Sequence, residues 1–180
     1  SEGDSTKERI SQMPKPSITE AKFRALVSEQ IRVMQLSLMA LAEALYESHQ
    51  YLAAATEYER TAYAYPAGAR SAAAGYAALV ALQKQEDSLP AGARTEVRAR
   101  ATEAGVHFAQ AFPEHPESAG VLTRAAQDVF AAHDLPRAIT LAEALLARNP
   151  PVEVAKQRIA WTIIGQSKLD QGAFAHAEPA

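Results

Sequence analysis

The chain has 180 residues, enough for one domain or a short array of repeats around a continuous core. Its formal net charge of −3 gives it no basic field to neutralise a run of phosphates, which sets nucleic acid aside as a main partner. It contains no cysteine, which excludes disulfides, thiolate metal sites and cysteine nucleophiles and leaves the compartment open.

Residues 1–17 carry charge, serine and two late prolines with almost no apolar periodicity, and read as a disordered lead or linker. Their first residues are polar and acidic, unlike a signal peptide, and a start without Met suggests a segment of a longer protein. Ser17 stands three before Glu20, a capping-box spacing that predicts a helix start. A helical array then occupies 18–180. Up to about Ser48 there is no Gly or Pro, and Phe23, Val27, Ile31, Met34, Leu38, Leu41 and Leu45 recur at helical steps. This is one long helix, or two joined near Gln35 to Ser37.

Ser48-His49-Gln50 breaks the pattern, and the next helix runs from Tyr51 to Ala64, stopped by Pro66 and Gly68. Helices are predicted over Ala69–Glu86 and, after the Pro90 and Gly92 loop, over Arg94–Phe112. Beyond the Pro113–Pro116 turn, Ser118 is a candidate N-cap for a helix to His133. Asp134 is expected to cap the following one, with Pro136 tolerated in its first turn. That helix ends at Asn149-Pro150-Pro151. A last hairpin is expected from Val152, turning at Gln171-Gly172 and cut off at Ala180.

Three sets share one spacing: Ala54/Tyr58/Pro66, Ala104/Phe108/Pro116 and Ala138/Ala142/Pro150. The last two lie 34 residues apart (138 − 104), a period that marks stacked helical hairpins. Small side chains let antiparallel helices approach, and Ala54, Ala104, Ala138 and Gly165 are the expected crossing points. From Trp161-x-x-Ile164-Gly165-x-x-Lys168 through Gly172-x-Phe174-x-x-Ala177 the chain resembles the tetratricopeptide repeat, over roughly 35–180. It departs from that family in the 16 extra residues between Pro66 and Pro116 (50 − 34), in Lys168 and in Thr61.

The resemblance implies an all-α, right-handed α-solenoid of about four antiparallel hairpins, whose first helices line a concave groove. Carried over position by position, that groove receives Met39, Glu43, Tyr46 and Glu47, then Tyr76 with Ala72 and Leu79, then Thr123, Gln127 and Phe130, then Thr162 and Gln166. The same register also allows Tyr46, Tyr76 and Phe130 to be packing residues, and Glu43 and Glu47 a solvated face. The Lys, Arg and Asn set with which some family members grip a C-terminal carboxylate is absent from these positions. The implied work is that of a scaffold for a protein or peptide partner. A spacer that self-associates through its cut end is the alternative.

The five histidines form no H-x-x-x-H or H-E-x-x-H pair, and no G-x-S-x-G elbow or Gly-rich phosphate loop occurs, so neither a catalytic residue nor a cofactor or metal site is assigned. His49 and His133 fall at equivalent turns. No apolar run reaches the length of a membrane span. The Phe112–Pro116 run, followed by Val121-Leu122-Thr123 and Ala125-Ala126, resembles long tetratricopeptide proteins of bacterial envelopes, and alanine richness suits a bacterial source; together they imply a periplasmic or envelope location, with the cytoplasm as the alternative.

Overall fold

The computed structural model describes residues 19–175. Among them are seven α-helices and one 3-10 turn, and no strand. The helices are α1 (Glu20–Glu47), α2 (Tyr51–Tyr63), α3 (Ser71–Ser88), α4 (Thr95–Ala111), α5 (Ser118–Ala131), α6 (Leu135–Leu146) and α7 (Val154–Ala175). The fold is all-α. The chain divides into two units, one ending at Ser37 and one starting at Leu38.

In the first unit, residues 19–30 are exposed without exception, and α1 continues unbroken where a joint near Gln35 was an alternative. Ser17 lies outside the described residues. Thr19 stands at the start of α1, its hydroxyl oxygen accepting from the backbone N–H of Lys22 at 3.4 Å.

In the second unit each helix from α2 onward packs on the next, and α5 also packs directly on α7. Alanine makes this close packing possible: Ala42, Ala54, Ala55, Ala78 and Ala81 surround Tyr58 and Leu82 in one cluster. A second cluster gathers Leu122, Val129, Leu141, Leu145, Ile163 and Ile164 around Ala125, Ala138, Ala142 and Ala160. Ala54 and Ala138 are thus the buried crossing residues expected of them, and half-buried Ala104 packs on the first cluster. Gly165 is a correction, because it is exposed and a Cβ there would meet nothing within 4 Å. Ala160, fully buried, supplies the small residue on α7.

The turns hold two further corrections and one agreement. Ser118 is already helical and buried; its hydroxyl donates back to the Ala109 carbonyl at 3.3 Å and so ties α5 to α4. Gln171 and Gly172 lie inside α7, which runs on to Ala175 without the expected turn. Asp134 does cap α6, its Oδ1 accepting from the Arg137 N–H at 3.3 Å.

Candidate functional site

Where α5 meets α7 face to face, α3 reaches α5 chiefly through α4. The space left between α3 and α5, floored by α4, is a cleft of about 360 Å³. On α3, Tyr76, Leu79, Val80, Gln83, Lys84 and Asp87 recur at three- and four-residue steps and form one wall. Val121, Arg124 and Asp128 form the opposite wall on α5, and Ala101, Thr102 and Gly105 form the floor. Two glycines shape it. A Cβ on Gly105 would lie 3.0 Å from Val121 Cγ1, so its absence lets α4 and α5 close together, whereas a Cβ on Gly120 would project into open space.

Aromatic packing fixes the Tyr76 end. Tyr76 lies against Phe108 and His115 with ring centroids 6.0 and 5.5 Å away, and the chain of rings continues through Phe112 and Tyr63 to His107. Gly75 sits among these rings, where a Cβ would meet Phe108 and the Tyr63 hydroxyl at 3.0 Å. Burial, with the Glu59 carboxylate nearby, pushes the Tyr63 phenol up to about 12.

Charge fixes the other end. Glu86 on α3 is only 4% exposed, and its Oε1 accepts from Arg98 Nε of α4 at 2.8 Å. Its Oε2 has no hydrogen-bond partner; Arg124 Nη2 of α5 stands 3.5 Å away as an ion pair. Arg124 also faces Asp128 at 3.8 Å. Burial raises the Asp128 carboxyl above its ordinary value, and Arg124 and Arg98 oppose that shift. Three helices are therefore joined at this end by one carboxylate and two guanidinium groups.

The sequence-derived groove residues lie in several different surroundings. Tyr76 and Leu79 line the cleft. Met39 and Tyr46 are half-buried on the first core cluster, Tyr46 edge-on to Tyr51 with centroids 5.3 Å apart. Glu43 and Glu47 are exposed and raise the nearby Tyr58 phenol, whose shift comes first from burial. Thr123, 6% exposed, donates its hydroxyl to the Ala119 carbonyl at 2.7 Å and offers no surface. Phe130 is packed on the second cluster, while Gln127, Thr162 and Gln166 are exposed away from the cleft lining.

Sequence reasoning missed Gly120, Arg124, Asp128 and Glu86. Only the 16 extra residues between Pro66 and Pro116 (50 − 34) signalled that α3 and α5 are spaced differently from α5 and α7. Among the described residues, no group of three His, Cys, Asp or Glu is placed to hold a metal ion, and no helix is long and apolar enough to cross a membrane. Compared with family models, curated proteins and solved structures, the chain matches none of them.

Proposed function

We propose that this chain is a non-enzymatic scaffold: a right-handed tetratricopeptide-like stack of hairpins that holds a peptide or protein partner in the cleft between α3 and α5. The single observation that carries the reading is the cleft itself, apolar along Leu79, Val80 and Val121 and polar at Thr102, Arg124 and Asp128. From Tyr76 to Glu86 the α3 wall extends about 15 Å, the span of four or five extended peptide residues or of nearly three helical turns. A wall held by packed rings at one end and ion pairs at the other is ordered before a ligand arrives, which lowers the cost of binding. A bacterial envelope location belongs to the same proposal, and fractionation of the parent protein tests it.

The test is selection of peptides from a random library on the immobilised chain, followed by titration into ¹⁵N-labelled protein. The amides of Gly105, Gly120 and Thr102 should shift first. Selection that returns no binder, or shifts confined to α6 and α7, contradicts the proposal.

One observation favours the spacer reading. On α7, Val154, Trp161 and Leu169 are 71%, 62% and 73% exposed, an apolar surface on which another helix could pack. Trp161 is the chain's one tryptophan, so its emission reports directly. A blue shift with rising concentration supports the spacer, and an emission maximum fixed at the solvent-exposed value counts against it.

A further inference from the structure

The first half of α1 carries a second apolar feature, independent of the cleft. Phe23, Val27, Gln30, Met34 and Ser37 follow steps of four and three, with Leu26 and Val33 one heptad apart beside them, and all seven are exposed. The five large apolar members are between 42% and 58% exposed. A 3.5-residue stripe fits a partner helix lying alongside, and helices in proteins gain most of their stability from packing such a face. We propose that this stripe pairs with the same stripe on a second copy of the chain.

Area and charge select that occupant. With about half of each large side chain exposed, the stripe offers roughly 400–500 Å² per copy, so two copies bury roughly 800–1,000 Å², which places the pair at the weak end of specific interfaces. The stripe contains no charged residue. Glu20 is paired with Arg24 at 2.6 Å and Glu29 with Arg32 at 2.7 Å, both on the same helix, so these charges need no partner across an interface. A matched uncharged stripe is what a second copy brings. Gln30, whose amide both donates and accepts, lies mid-stripe and can bond to its own counterpart across a two-fold axis, which sets the register.

The cysteine-free chain allows a direct test, because one introduced thiol reports alone. Light scattering on the full chain should rise from 19.3 kDa toward twice that mass at concentrations on the order of 100 μM. A Gln30→Cys variant should cross-link about tenfold faster than Ala25→Cys on the opposite face of α1, through its higher effective concentration in the pair. Val27→Glu with Met34→Glu should stay at 19.3 kDa while the melting transition of the remaining helices is unchanged. A mass fixed at 19.3 kDa at every concentration overturns the proposal. So does a mass that doubles while Gln30→Cys cross-links no faster than Ala25→Cys, since the contact then lies elsewhere.

Discussion

His49 and His133 close two helices in the same way, 84 positions apart (133 − 49), each with φ near +60°. His49 N–H bonds to the Tyr46 carbonyl and Gln50 N–H to that of Leu45; His133 N–H bonds to Phe130 and Asp134 N–H to Val129. Both are Schellman turns, in which the left-handed residue satisfies carbonyls the helix leaves open. The next residues, Gln50 and Asp134, share a backbone conformation near φ −85°, ψ +67°. The α1–α2 and α5–α6 junctions therefore turn on one local structure written in different residues.

That equivalence makes the two turns a matched experiment. Asp134 caps α6 through its side chain, whereas Gln50 makes no side-chain cap on α2. Gln50→Asp should raise stability by about 1 kcal/mol in urea melts, and Asp134→Ala should lower it by roughly 0.5–2 kcal/mol. His133→Gly, free of the Cβ penalty at positive φ, should add about 0.5–1 kcal/mol, with His133→Val moving the other way.

Glycine substitution separates packed from open helix surface. Ala is the better helix former by about 1 kcal/mol, so Gly120→Ala, with nothing within 4 Å of its new Cβ, should raise the melting temperature. Gly75→Ala gains the same propensity but presses on Phe108, Tyr63 and Phe112, at a net cost of roughly 1–3 kcal/mol. Equal melting temperatures for the two variants would contradict the ring packing described.

Alkaline titration tests Tyr63. Its phenol pKa is raised by burial to about 12 in the folded chain against 10 unfolded. Its contribution is thus fully present below pH 10 and is lost as pH rises from 10 to about 12. Tyr63→Phe should shift the alkaline unfolding limb to higher pH, and an unshifted limb would show the hydroxyl to be solvated.

The ion pair at the closed end of the cleft should differ from those on the surface. A double-mutant cycle on Glu86 and Arg98 should return a coupling of about 1–2 kcal/mol, because one partner is buried. Glu20 and Arg24, both 77% exposed, should show no measurable coupling. A vanishing Glu86–Arg98 coupling would remove the electrostatic brace between α3 and α4.

Much of the fold was legible because helix ends are local events. Asp134 before Leu135-Pro136, the His49 and His133 turns and the Pro90–Gly92 loop each act within a few residues, so their chemistry is visible in order along the chain. Most of the cleft lining was not legible. Whether Thr123 faces a ligand or its own helix, and whether Tyr46 is wall or packing, depends on a rotation of some tens of degrees that a 3.6-residue repeat leaves open. Nothing near Glu86 along the chain marks it out; its role depends on Arg98 and Arg124, brought to it by folding from the next two helices. Gly165 fitted a motif but not a crossing, since Ala160 fills that place.

The most direct measurement is the affinity of a library-selected peptide for Gly120→Leu beside the unaltered chain. The new side chain enters the cleft without meeting its neighbours through Cβ and favours the helix, so folding is preserved while the space is filled. Binding should weaken by at least about tenfold with the melting temperature equal or higher. Unchanged affinity in a folded Gly120→Leu variant would contradict the claim that partners are held between α3 and α5.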